Sequence, residues 1–356
     1  MKTLGILLLT TLSAVAADPK VVGGPMAVNV TNRSATIVWI VQSDQAAVTG
    51  ADGKDTRLSP SLRVEKTTLT GLASNTHYDY KVAGQTGSFK TPPNGAGSFS
   101  FVLYGDNRTR HDVHQKVMET LLKNASPDFV LQTGDMVENG SDDSLWPIFF
   151  DIEKDLLRKA AIFPALGNHE RNSRDFYEFF QATMPYYSFN WGNAHFIVLN
   201  SDIDNVSPKE SERKAFWAEQ IKWLEEDLGA SQSSDFRFVT AHHPPFTAVE
   251  RRQGNNPHMT ALTPMFEKYH VTGAFFGHDH NYQSYLLNEI HYVVSGGGGA
   301  PLYDVAKPPA GITRKVESIE NFVSVNVEGR VAHVKAIAID GRVLEEFDIA
   351  AAPQAK

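Results

Sequence analysis

Five times along the chain a short apolar run stops abruptly at residues that can hold a metal or move a proton. Ser100-Phe101-Val102-Leu103-Tyr104 ends at Gly105-Asp106-Asn107-Arg108, and Phe129-Val130-Leu131-Gln132 ends at Thr133-Gly134-Asp135. The run over 161–166 leads into Gly167-Asn168-His169-Glu170, and that over 236–240 into Ala241-His242-His243-Pro244-Pro245. Gly273-Ala274-Phe275-Phe276 leads into Gly277-His278-Asp279-His280. Such runs predict buried strands. In open α/β sheets, binding residues collect outside the carboxyl ends of the strands. The five breaks therefore predict one constellation gathered from distant sequence. Between the runs the period changes. Trp217, Ile221, Leu224 and Leu228 fall at helical spacing with Glu219, Lys222 and Glu225 between them, which predicts an amphipathic helix. Further helices are predicted over 113–122, 145–157, 175–183 and 264–269. Strands return over 322–327, 331–339 and 343–349, the last two joined at a hairpin signal, Asp340-Gly341. The fold class predicted for 99–350 is α/β (α+β), with mixed sheets flanked by helices.

Residues 18–92 follow another pattern. Short β-type runs over 27–31, 35–41 and 78–82 are separated by turn signals at Thr31-Asn32-Arg33-Ser34, Asp52-Gly53 and Ser74-Asn75. No long helical period occurs, so a small all-β sandwich is predicted. Residues 93–98, rich in Pro, Gly and Asn, read as a linker. The first seventeen residues have the layout of a cleavable signal peptide: Lys2, an apolar stretch over 4–12, then Ala14-Val15-Ala16. That stretch is short for a membrane helix, and no other segment is long and apolar enough to span. A secreted or periplasmic protein is expected, with no membrane span after signal removal. The absence of cysteine excludes disulfides, thiolate metal sites and a lipidated Cys. A formal charge of −8 argues against a nucleic-acid groove or an anionic membrane as partner. Oligomeric state is left open.

The candidate chemistry begins with His278 and His280. Two imidazoles at i and i+2 leaving a buried strand put two neutral nitrogen donors beside one cavity, which suits zinc, iron or manganese. A dinuclear site also needs a bridging carboxylate, with the cations about 3.5–4 Å apart. Asp135 is the candidate bridge; its alternative is an Asx-type turn after Gly134. Asp106 with His280 would serve one metal. His242, His278 and the Asn168 side-chain oxygen would serve the other, although an isolated Asn is more often a loop cap.

In order, these five motifs resemble those of the calcineurin-like metallophosphoesterases. The front sandwich and the helix around Trp223 and Leu224 resemble the purple acid phosphatase-like branch. Residues 69–78 resemble the hallmark segment of fibronectin type III-like sandwiches. The resemblance implies Asp106, Asp135 and His280 as ligands of the first metal, with Asp135 bridging, and Asn168, His242 and His278 as ligands of the second. It implies two divalent or trivalent ions (Fe, Mn or Zn) and a small phosphorylated substrate. His169 matches the non-ligand histidine that donates a proton to the leaving oxygen. His243 is implied to be a neighbour rather than a ligand. Glu170 either orients His169 and its loop or is a surface residue.

The chain also departs from the family pattern. Arg108 stands where many relatives have a histidine, and Glu138 where purple acid phosphatases have a tyrosine. Either Glu138 or water then completes the first metal, and without tyrosinate an iron-loaded protein is expected to be colourless. Arg108 is a phosphate contact or a structural ion pair. Arg251, Arg252 and His258 fall in the loop where relatives carry substrate contacts. The run Gly296 to Gly299 lacks the Lys-Ser/Thr ending of a P-loop and reads as a tight turn that lets backbone approach the site. The expected function is phosphomonoester hydrolysis, acid phosphatase-like, by hydroxide generated on the metal pair. The alternatives are a phosphodiesterase or phosphotriesterase, or an inactive partner-binding module.

Overall fold

Alternation within single strands sets the layers. The structure, a computed structural model, describes residues 20–43, 47–49, 55–57 and 61–353. The expected signal peptide and the Asp52-Gly53 turn lie outside them.

The N-terminal part is all β. It comprises β1 (Lys20–Val28), β2 (Ser34–Gln42), β3 (Ala47–Thr49), β4 (Asp55–Arg57), β5 (Leu62–Thr70), β6 (His77–Val82) and β7 (Gln85–Lys90). β1, β2 and β5 form an antiparallel sheet, and β3–β4 and β6–β7 are hairpins. Its apolar side is shared: Met26, Val28, Val38 and Ile40 pack in one cluster with Trp146, Phe149 and Phe150 of the following part. The segment read as a linker is also engaged, since Asn94 bridges to Gly192.

The remaining chain runs β8 (Phe99–Tyr104), α1 (His111–Asn124), β9 (Phe129–Gln132), α2 (Trp146–Leu157), β10 (Ala161–Pro164), α3 (Arg174–Phe180), β11 (Tyr187–Trp191) and β12 (Ala194–Val198). It continues with α4 (Glu210–Ala230), β13 (Phe236–Ala241), α5 (Pro257–Thr260), α6 (Thr263–Lys268), β14 (Gly273–Phe276), β15 (Tyr282–Leu287) and β16 (Ile290–Ser295). β17 (Thr313–Glu317), β18 (Asn321–Glu328), β19 (Val331–Ala338) and β20 (Val343–Ala350) close it. Two sheets result, with orders β10-β9-β8-β18-β19-β20 and β11-β12-β13-β14-β16-β15-β17.

In β8, Phe101 and Leu103 point between the sheets, while Val102 and Tyr104 point to the outer core that carries α1 and α2. In β14, Phe275 points between the sheets, and Ala274 and Phe276 point toward Leu224 and Leu228 of α4 and Phe266 of α6. The period of two thus gives each strand two apolar faces. Phe101 is the hub of the inner layer: Phe129 lies 5.1 Å away and Phe196, edge-on, 5.4 Å. Phe238 and Phe275 follow at 5.8 and 6.0 Å. Burying one such ring is worth about 1.5–3 kcal/mol.

Parallel pairing of β8, β9 and β10 aligns three carboxyl ends in the first sheet. Parallel pairing of β13 with β14 aligns two more in the second. All five polar breaks leave these ends.

Two features escape the sequence pattern. The β15–β16 hairpin turns through Asn288 (φ 49°) and Glu289 (φ 63°), both left-handed, without the glycine that usually announces such a turn. Helix α3 stops at Phe180, short of the expected 183, because Gln181 takes a left-handed C-cap (φ 53°, ψ 34°). Along α4, Leu224 and Leu228 are buried, while Trp217 and Ile221 are partly so.

Candidate metal centre

Asp106 and Asp135 leave their strands with φ of 60° and 57°, and His278 with φ of 70°. Three of the implied ligands thus occupy the left-handed region, a strain that recurs at functional sites. Close backbone approach is the reason the neighbouring glycines are needed. A Cβ on Gly167 would sit 2.3 Å from Asp135 Oδ1, and one on Gly296 would sit 2.8 Å from Asp106 Oδ2 and 2.2 Å from the Asp279 carbonyl. The Gly296 to Gly299 turn does bring backbone to the site: Gly298 N donates to Gly105 O at 2.9 Å.

The histidines are oriented by their second nitrogens. His242 Nδ1 donates to Thr133 O at 2.8 Å, and His280 Nδ1 donates to Pro301 O at 2.6 Å. Each Nε2 is thereby left as a lone-pair donor turned inward. His242 Nε2, His278 Nδ1 and Asn168 Oδ1 converge, with separations of 3.1, 3.1 and 3.2 Å, and Asp135 Oδ1 stands 3.4 Å from His242 Nε2. On the other side, His280 Nε2 is 3.3 Å from Asp106 Oδ1. Asp106, Asp135 and His280 present ligand atoms within 4.8 Å of one another. Asp135 is common to both groups. Its Oδ1 faces His242, and its Oδ2 faces Arg108 Nε at 3.6 Å and His169 Nε2 at 3.9 Å.

These residues fit a pair of cations. Asp106 Oδ1 is buried without a hydrogen-bond partner, a costly state unless an ion satisfies it. Burial favours the neutral acid at Asp135, yet His242 and His169 outweigh it and hold the carboxyl well below the usual range. Burial opposes charge on His242, but Asp135 and Asp106 push its pKa up to about 10. Burial and the neighbouring histidines push His278 well down. The donor set is nitrogen and oxygen only, which suits iron, manganese or zinc.

His243 belongs to the same cluster of rings, 4.1 Å from His278. Its Nδ1 pairs with Ser201 Oγ at 3.0 Å. Asn168 Oδ1, by contrast, lies within 3.1 Å of both His242 Nε2 and His278 Nδ1.

Glu170 is not a surface residue. It is fully buried, and Oε2 accepts from the Asp135 and Gly167 amides at 2.8 Å each. Oε1 accepts from Met136 N at 2.8 Å and Val137 N at 3.4 Å. One carboxylate thus ties the Asp135 loop to the Asn168 loop. Burial, then the Asp135 charge, pushes its pKa up to about 7.

His169 lies against the centre without joining either donor group. Its amide donates to Asp135 Oδ1 at 2.9 Å and its Nδ1 to Glu138 O at 2.8 Å. Glu138 is not among the converging donors: half-exposed, it accepts from Arg108 Nη1 at 2.5 Å. The extra carboxylate ligand considered for the first metal is therefore already paired to a guanidinium. Of the two readings given to it, Arg108 makes the ion pair, to Glu138, and it also sets its charge beside Asp135. Its Nε is buried without a hydrogen-bond partner.

The 250s loop makes its own contacts within the protein. Arg252 Nη1 donates to His278 O at 2.8 Å and Asp279 Oδ1 at 3.1 Å, and Nη2 to Tyr303 Oη at 3.2 Å. It braces the ligand loop from behind. Arg251 lies over the Tyr303 ring at 4.5 Å. His258 Nε2 donates to Ser201 O at 3.1 Å with its ring edge-on to Trp217. Tyr303, which carries no motif, stacks on His280 at 4.1 Å.

Comparison with known proteins bears on the fold. Purple acid phosphatase PPD1 from yellow lupin (Lupinus luteus) seeds shares the fold with a TM-score of 0.71 at 17% identity, over 92% of this chain and 74% of that one. PhoD does so with a TM-score of 0.64 at 12% identity, over 95% and 93%. GAP50, the anchor in the inner membrane complex of Plasmodium, gives 0.56 at 15% identity, over 73% and 90%. No curated protein matches the sequence significantly. Residues 99–282 match the calcineurin-like phosphoesterase description. That match covers more than half of the chain, and the protein belongs to the calcineurin-like phosphoesterase family of metal-dependent enzymes.

Proposed function

We propose that the protein hydrolyses phosphate monoesters at a pair of bound cations, outside the cytoplasm. The observation that carries this reading is the sharing of Asp135 between two converging donor groups, with His169 and Arg108 beside them. Asp106, Asp135 and His280 would hold one cation, and Asp135, Asn168, His242 and His278 the other. When bound, such cations supply Lewis acidity toward phosphoryl oxygens and lower the pKa of water.

The chain's own residues do the rest. Arg108 sets its guanidinium charge beside Asp135, where it would stabilise a bound phosphoryl group. His169, anchored through Nδ1 to Glu138 O, keeps Nε2 free to carry a proton to the departing oxygen. In balance, the oxygen of water bonds to phosphorus, the ester P–O bond breaks, the alcohol leaves with the proton from His169, and the proton given up by water passes to solvent, from which His169 is reprotonated. Glu170 and Arg252 hold the ligand loops in place during this exchange.

Location rests on the signal-peptide-like sequence pattern at 1–17 and is tested by N-terminal sequencing of protein recovered from the periplasm or medium. Among the described residues, no helix is long and apolar enough to cross a membrane. The activity is tested with manganese-reconstituted protein on p-nitrophenyl phosphate and bis(p-nitrophenyl) phosphate, against a chelated control. Chelator-sensitive preference for the monoester supports the reading. Preference for the diester moves the assignment to a phosphodiesterase, and cleavage of neither removes it.

A further inference from the structure

The two donor groups are not braced alike. At the Asn168–His242–His278 position the rings cross at steep angles: His242 meets His278 at 77°, and His243 lies across His278 at 55°. The Asp106–His280 position has a single imidazole, and what covers its face is a phenol. Tyr303 stacks on His280 with ring centres 4.1 Å apart and planes 18° apart. Two guanidinium groups, those of Arg251 and Arg252, lie over the same phenol ring at 4.5 Å each, attracted by its π face.

The backbone around Tyr303 fixes the stack in place. Tyr303 N donates to His280 O at 3.0 Å, and Asn281 Nδ2 donates to Tyr303 O at 3.1 Å. Two residues earlier, Pro301 O accepts from His280 Nδ1, and Ala300 N donates to Asp106 O at 2.7 Å. Arg110 secures the same segment, donating through Nε to Gly299 O at 2.8 Å and through Nη2 to Ala300 O at 2.6 Å. The short run from Gly299 to Tyr303 thus touches both Asp106 and His280. Its ring is held in turn, since Tyr303 Oη accepts from Arg252 Nη2 while Arg252 Nη1 donates to His278 O.

The hydrogen bond to Pro301 O fixes the tautomer of His280 and one direction in its ring plane, but leaves the ring free to tilt about that bond. The Nε2 lone pair lies in the ring plane, so a tilt swings it away from a cation held beside Asp106 Oδ1, 3.3 Å off. A flat group packed against the ring face resists that tilt. We propose that Tyr303 is a positioning residue for His280, and that its stack sets the affinity of the Asp106–His280 position for its cation. This rests on the cation pair of the reading above and is independent of which ester is cleaved.

Binding, not turnover, tests this. In manganese titration by calorimetry, His280→Ala identifies the class of site that belongs to the Asp106 position. Tyr303→Leu, which keeps bulk without a flat face, should weaken that class by about 10- to 100-fold and leave the other within about twofold, the usual cost of losing a group that orients a ligand. Tyr303→Phe keeps the plate and should stay within about threefold of wild type. The stack itself is read without metal. In metal-free wild type and Tyr303→Phe, the His280 ring protons should be shifted upfield in the proton NMR spectrum by the ring stacked on them, and Tyr303→Leu should lose that shift. Unchanged affinity in Tyr303→Leu, or equal weakening of both classes, overturns the proposal. So does a wild-type spectrum without the upfield shift, which needs no variant to fold. If the wild type takes up no manganese, the cation pair falls and this proposal with it. Each of the other adverse results removes the proposal and leaves the pair standing.

Discussion

Arg108 and Glu138 are locked together at 2.5 Å, and the same guanidinium holds its Nε 3.6 Å from Asp135 Oδ2. A fixed positive charge thus stands beside the oxygen that the Asp106–His280 cation would share. On the proposed assignment that position would have three protein ligands, against four at the Asn168–His242–His278 position. The two positions should therefore differ in affinity, with Asp106–His280 the weaker. Arg108→His removes a permanent charge and offers a neutral donor. Manganese titration by calorimetry should show two unequal classes in the wild type and a second class at least about tenfold tighter in the variant. Two equal classes in the wild type would contradict this.

Glu170 satisfies backbone amides in two loops, and removing it leaves them buried without acceptors. Glu170→Ala should lower unfolding free energy by about 3 kcal/mol or more, and Glu170→Gln by clearly less. Urea denaturation of the metal-free protein measures this, and weaker metal binding should accompany it. If Glu170→Ala unfolds at the wild-type midpoint, the loop tie carries no weight.

His169 touches neither donor group through its ring, so His169→Ala should keep both metals. Turnover of alkyl phosphates should fall by roughly 10²–10⁴-fold, with a smaller loss on p-nitrophenyl phosphate, whose leaving group needs little proton assistance. Metal analysis of the same sample decides between roles, since loss of metal would make His169 structural.

His291 lies in the core edge, stacked on Phe347 at 4.6 Å. Burial, then the Arg314 charge, pushes its pKa down to about 4 from 6.5. The unfolded chain therefore takes up a proton, between about pH 6.5 and 4, that the folded chain refuses. Stability falls as pH falls through that window. His291→Phe should flatten this part of the Tm profile and leave Tm at pH 8 little changed. An unchanged acid slope would mean that other groups set it.

The convergence of the candidate site was legible because each donor directly follows an apolar run, and strand ends are where parallel sheets deliver residues. Direction was not legible. Arg252 and His258 have the right chemistry for substrate, and each also donates within the protein, to His278 O and Ser201 O, which no spacing reveals. Glu170 was ambiguous for the same reason: a carboxylate after Asn-His is as easily outside as inside. Tyr303 has no motif and meets His280 only through the path of the backbone. In the fold, the β15–β16 turn was hidden because Asn288 and Glu289 adopt a backbone that the sequence usually signals with glycine.

Asp106, Asp135 and Asn168 ride on one sheet, and His242, His278 and His280 on the other. The centre is therefore a gauge of how the two sheets are seated. A slip of about 1 Å between layers, too small to unfold anything, can cost catalysis about 10²-fold. Phe101 and its ring neighbours, far from any substrate atom, set that seating. A substitution there would be detected first as misaligned chemistry, and only later as lost stability.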